Sequence, residues 1–138
     1  MTLSGPERDS RRSWTRLLGL WGPVLGFMMV LLVMATRPDS AFFEPFGDKL
    51  LHGLAYFALG FLTLRAFHGG VMRLRWWPSV LAMLLTLGYA ALEEGQQGRV
   101  PSRDSSSVDW AADALGAACS IVFTALVAVV TARMRAKE

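Results

Sequence analysis

Hydrophobic positions in this chain do not alternate with polar ones at the period of a half-buried strand or a surface helix; they run together. Segments 17–35, 49–67, 76–93 and 110–131 are nearly continuous in Leu, Val, Ala, Met, Phe and Gly, and each is 18 to 22 residues long. A helix of about 20 apolar residues crosses the hydrocarbon layer of a bilayer while satisfying its own backbone hydrogen bonds. The pattern therefore predicts an all-α protein, a four-helix transmembrane bundle occupying residues 17–131 between a basic tail, 1–16, and a second basic tail, 132–138. Residues 6–12 and 133–138 are charged without apolar periodicity and read as disordered. Pro23 stands near the start of the first segment and is a place for a kink. That segment is long for a cleaved leader and three more follow it, so it reads as an uncleaved anchor. Trp76, Trp77 and Trp110 fall at segment ends, where amphipathic rings favour the headgroup region.

Composition agrees. Of 138 residues, 53% are hydrophobic and 18% charged, with a mean hydropathy of +0.37, which is too apolar for an ordinary soluble domain and too short for two. A single cysteine, Cys119, excludes an intrachain disulfide and a four-cysteine zinc site. The net charge of +3 sits in clusters flanking the apolar segments, so topology explains it better than nucleic acid does. Ten Lys and Arg residues fall in the two tails and in the link that holds Arg65, Arg73 and Arg75; four (Arg37, Lys49, Arg99 and Arg103) fall on the other side. The positive-inside rule then puts both termini in the cytoplasm. Eight acids, from Asp39 to Asp113, gather at the opposite, outer end.

That acidic end carries the candidate chemistry. Asp48, His52 and Tyr56 recur every fourth residue, a single helical stripe descending into the membrane. Glu94 and Gln97 share a face of the third helix, while Glu93 points about 100° away toward Thr86 and Tyr89; Glu93 and Gln96 read as a frayed, solvated helix end. Asp109 and Asp113 open the fourth helix, and Gly116, Ser120 and Thr124 continue that face as a strip for internal packing or, alternatively, for a homo-oligomer. Asp113, a turn below Asp109, needs a partner if charged, and Arg103, Lys49 and His52 are the candidates. Any of these residues taken alone is explained as interhelical glue. Together they predict a polar pocket lined by Asp48, Lys49, His52, Tyr56, Glu94, Gln97, Arg103, Asp109 and Asp113.

Three ordered blocks carry a resemblance. Asp48-Lys49-Leu50-Leu51-His52 with Tyr56, then Glu94 and Gln97 followed by Pro101 and Arg103, then Asp109 and Asp113 with Gly116, resemble the signatures of the VanZ-like membrane protein family over roughly residues 24–126. Two positions depart: Asp113 stands where the family commonly has Asn, and Gly53 where it has an aromatic. The resemblance implies a multi-pass protein of the bacterial inner membrane, linked through the family's name to glycopeptide (teicoplanin) resistance. It does not imply a reaction.

The leading expectation is a non-enzymatic protein, without cofactor, metal or nucleic-acid partner, whose outer pocket recognises a membrane lipid, a lipid-linked envelope precursor or a lipoglycopeptide. Lys49 and Arg103 would hold phosphate or carboxylate. The first alternative is an enzyme on a lipid-linked substrate, with His52 as general base or acid and carboxylates holding a divalent cation. The second is a small proton-linked transporter subunit with Asp48, His52 and Asp113 as a relay.

Overall fold

The computed structural model describes residues 5–35, 45–70, 74–99 and 107–137. They form four helices: α1 (Gly5–Ala35), α2 (Pro45–Phe67), α3 (Trp76–Gln97) and α4 (Ser107–Arg135). No strand occurs among the described residues. α2 is the central element, packed against α1, α3 and most extensively α4, while among the described residues α1 does not pack on α4. Three helices, over Ser13–Ala35, Lys49–Phe67 and Ser107–Arg135, are long and apolar enough to cross a membrane. α3 is not among these three, and it holds Trp76, Trp77, Pro78, Tyr89, Glu93 and Glu94. Its side chains nonetheless meet α2 from Tyr56 down to His68, so it runs the length of its neighbour.

The bundle is apolar outside as well as in its core. Leu25, Met29, Leu54, Leu84, Leu115 and Val122 are exposed around its circumference, whereas Thr63, Thr86 and Ser120 are fully buried. Lipid solvates Leu as well as a protein core does, so what drives these helices together is close packing and interhelical hydrogen bonding. Thr63 and Thr86 join α2 to α3 through their hydroxyls at 2.9 Å. α2 meets α4 at glycine: a Cβ on Gly116 would overlap the Gly53 carbonyl, and one on Gly60 would lie 2.5 Å from Ser120 Oγ. Gly116, Ser120 and Thr124 are all buried, so this strip serves internal packing.

The helices outrun the apolar segments. α1 begins at Gly5 and α4 continues to Arg135, so the expectation of disorder over residues 6–12 and 133–135 is corrected. Charged residues with good helix propensity simply extend each helix beyond its apolar run, and Arg133 and Arg135 complement the negative end of α4.

α1 also runs unbroken through Pro23. Proline has no N–H, which leaves the carbonyl four residues earlier, Gly19, without its helical partner. Arg65 of α2 supplies the missing donor, its Nη1 lying 3.1 Å from the Gly19 oxygen. α2 ends in a Schellman motif: Gly69 N–H bonds the Ala66 carbonyl and Gly70 N–H the Arg65 carbonyl, with Gly69 at φ 64°. His68 staples the turn to α3. Its Nδ1–H donates to the Leu64 carbonyl at 2.8 Å, leaving Nε2 to accept the Arg75 N–H at 2.9 Å.

Candidate functional site

The polar side chains of the acidic end form a ladder on α2. Lys49 Nζ donates to Asp109 Oδ1 at 3.0 Å, His52 Nδ1 lies 3.1 Å from Asp113 Oδ1, and the Tyr56 hydroxyl donates to Glu93 Oε2. The three rungs are three and four residues apart on α2, the spacing of one helical face. His52 and Tyr56 lie about 4.5 Å and about 10.5 Å along the helix from Lys49. Each partner arrives for a reason of register. α4 runs parallel to α2, so Asp109 and Asp113, four apart, meet Lys49 and His52 in the same order. α3 runs antiparallel: moving from Tyr56 to Thr63 along α2 corresponds to moving from Glu93 back to Thr86 along α3.

Burial sharpens down the ladder. The Lys49 side chain is 46% exposed and its partner 11%, whereas His52 and Asp113 are at 12% and 3%. The first rung is therefore an ion pair at the mouth, in contact with water or headgroups. The second is a histidine–carboxylate pair removed from both. An isolated charge at the depth of Asp113 would be costly, and His52, one of the three candidates, meets it.

The third rung differs from expectation. Glu93 was expected to be a solvated helix end, but it is 7% exposed and accepts the Tyr56 hydroxyl. The buried face of α3 is Ala82, Thr86, Ala90, Glu93 and Gln97, a run at spacings of four and three. That run was the available signal: Glu93 belongs to it and Glu94 does not. Glu94 is half-buried, one residue round the helix.

Gln97 does lie on the buried face, one turn beyond Glu93, and the antiparallel register sets it at the depth of His52. It is 3% exposed, and no side-chain hydrogen bond joins it to another described residue. No fully buried polar atom in the described bundle lacks a partner, so the Gln97 amide reaches the accessible surface of the mouth. Arg103, with Pro101, lies outside the described residues, and so does the side chain of Asp48.

No family model, curated protein or solved structure matches the chain.

Chemically, the described mouth holds three engaged carboxylates, on Glu93, Asp109 and Asp113, and the Gln97 amide, with Glu94 beside them on α3. The Lys49 ammonium and the His52 imidazole are each held on a carboxylate. Among the described residues no three His, Cys, Asp or Glu side chains converge as a metal site. The arrangement can hold a polar group by hydrogen bonds to an amide and to the rims of two ion pairs. It also holds an imidazole oriented through one nitrogen by a carboxylate, the relation by which a carboxylate fixes a histidine tautomer.

Proposed function

We propose that this chain is a VanZ-like protein of the bacterial inner membrane, with both termini cytoplasmic, that recognises an amphipathic envelope molecule at its acidic, extracytoplasmic end. The ligand class is a lipid headgroup, a lipid-linked cell-wall precursor or a lipoglycopeptide. One observation carries the reading. Three helices bring buried, mutually paired side chains to a single end of the bundle, and beside them Gln97 presents an amide that no described side chain engages. A bundle held together only by polar glue would spread such pairs along its length, as Thr63 and Thr86 are spread. The sequence blocks that resemble the family contribute Lys49, His52, Tyr56, Gln97, Asp109 and Asp113 to this end, which supports the assignment. Arg103 belongs to the proposal through its place in the second block. It would add a bidentate grip on phosphate or carboxylate, while Lys49 is engaged by Asp109.

The test is lipid co-purification followed by mass spectrometry, on the intact protein and on Gln97→Ala and Arg103→Ala. An envelope amphiphile retained by the intact protein and lost from either variant, at unchanged accumulation and elution, is the expected result. An identical retained set in all three would overturn the reading.

The His52–Asp113 pair favours one second reading, an enzyme acting on a lipid-linked substrate with His52 as general base. Turnover of such a substrate by the purified protein, abolished in His52→Gln, would replace recognition with catalysis.

A further inference from the structure

At the opposite end of the bundle two arginines cross one seam. Arg65 reaches from α2 to the Gly19 carbonyl of α1 at 3.1 Å, and Arg16 reaches from α1 to the Gly69 carbonyl beyond α2 at 3.4 Å. Arg16 and Gly19 are three residues apart, Arg65 and Gly69 four, so the two guanidiniums sit about one helical turn apart on the same α1–α2 boundary. Each spends one donor on a carbonyl, and a guanidinium carries five. The Trp21 and Phe67 rings meet edge-to-face at 5.0 Å across the same seam.

Nothing described at this end neutralises the pair. Arg16, Arg65, Arg75, Arg133, Arg135 and Lys137 gather here, and by sequence the ten bases of this end outnumber its three acids, Glu7, Asp9 and Glu138, whose side chains lie outside the described residues; the described acidic side chains, Glu93, Glu94, Asp109 and Asp113, belong to the other end. Two like charges at one seam favour an anion between them. The surroundings identify its kind. Trp14, Trp76 and Trp77 are exposed at this level, at 64%, 68% and 58%, and Leu17 and Leu18 beside Arg16 are exposed as well. Indole rings of this kind lie among headgroups, with apolar side chains beyond them against acyl chains. A soluble anion would find no use for that apolar flank.

The geometry points to a binding site for the phosphodiester of an anionic phospholipid, gripped between Arg16 and Arg65 in the leaflet at the basic end. The headgroup phosphate takes the guanidinium donors that face away from the carbonyls, and its acyl chains lie along the exposed face of α1. Arg65, anchored by the carbonyl that Pro23 leaves open, is the fixed jaw, and Arg16 is the solvent-facing one. This site is independent of the ladder and stands or falls separately from the recognition proposed there.

The experiment is native mass spectrometry of the full chain in mild detergent, with phosphatidylglycerol or phosphatidylcholine of matched acyl chains, and with inorganic phosphate as a third arm. Arg16→Gln and Arg135→Gln remove the same charge from the seam and from the α4 end. Phosphatidylglycerol is expected to be preferred by the intact protein. Arg16→Gln should weaken it by about fivefold, the effect of one basic residue near a lipid surface. Arg135→Gln should change it by less than about twofold, and Arg16→Lys should recover part of the loss. Equal losses in Arg16→Gln and Arg135→Gln would reduce the seam to diffuse charge and overturn the site. So would equal retention of the two lipids, or inorganic phosphate binding in place of phosphatidylglycerol.

Discussion

The two ends of α2 solve the same problem in opposite ways. At the Lys49 end, polar side chains are paired with other side chains: a lysine and a histidine with aspartates, a tyrosine with a glutamate. At the Arg65 end, Arg65, Arg16 and His68 are paired with backbone groups, namely the carbonyls of Gly19, Gly69 and Leu64. Pairing to backbone finishes a fold, because it supplies donors that a proline or a helix end has left wanting. Pairing of buried side chains to one another does not follow from the fold. Leucines of similar volume would close the same gaps, and a buried ion pair gains little over such replacements. If the proposed recognition holds, the Lys49 end is where a cost in stability has been accepted for it, and the comparison can be broken by measuring that cost.

The largest effect is expected from Asp113→Leu, which strips the buried His52 imidazole of its carboxylate. Removing one member of a buried pair costs about 3–5 kcal/mol, read from unfolding of the purified protein by a denaturing detergent. His52→Leu together with Asp113→Leu should cost clearly less than the sum of the two single changes, since the double variant leaves neither member of the pair buried without the other. At the other end, Arg135→Gln should move stability by no more than about 0.5 kcal/mol. Additive losses at His52 and Asp113 would show that the two do not act as a pair, and the contrast between the ends would fail.

Next in size is Tyr56→Phe, which leaves the Glu93 carboxylate without its hydroxyl donor at a cost of about 1–3 kcal/mol. Glu93→Gln keeps an acceptor for Tyr56 and should cost less. The reverse order would mean that the Glu93 charge, and not its acceptance of the hydroxyl, matters to the rung.

How far these features could be read in advance differs by feature. The helices follow from runs of apolar residues, because in a bilayer the solvent itself selects for them. The gathering of acids at one end follows from counting. His52 as a partner for Asp113 was one of three options, since sequence shows that a buried carboxylate needs a cation but not which helix faces it. Glu93 was misread because Glu93 and Glu94 are separated by a single residue, about 100° of helix. Which of them faces inward depends on how α3 is rotated against α2. The run Thr86, Ala90, Glu93, Gln97 holds that rotation, and it is legible only once the small residues are taken as the inward face. The contact of Arg65 with the Gly19 carbonyl was not legible at all. Proline announces which carbonyl it orphans, but only the antiparallel register of α1 and α2 brings residue 65 to residue 19.

Apart from the Arg135→Gln control, that contact gives the smallest effect and the sharpest contrast. Arg65→Leu should cost about 1 kcal/mol, well below Asp113→Leu, because the seam lies at the interface, where water can partly replace the lost donor. The loss should shrink in a Pro23→Ala background, where the alanine N–H returns to the Gly19 carbonyl and the helix completes itself. Coupling between residues on different helices is then explained by one carbonyl oxygen that either can satisfy. An equal cost with and without Pro23 would mean that Arg65 serves its charge and not the Gly19 carbonyl. The basic end would then resemble the acidic one, with side chains kept for something other than completing the backbone.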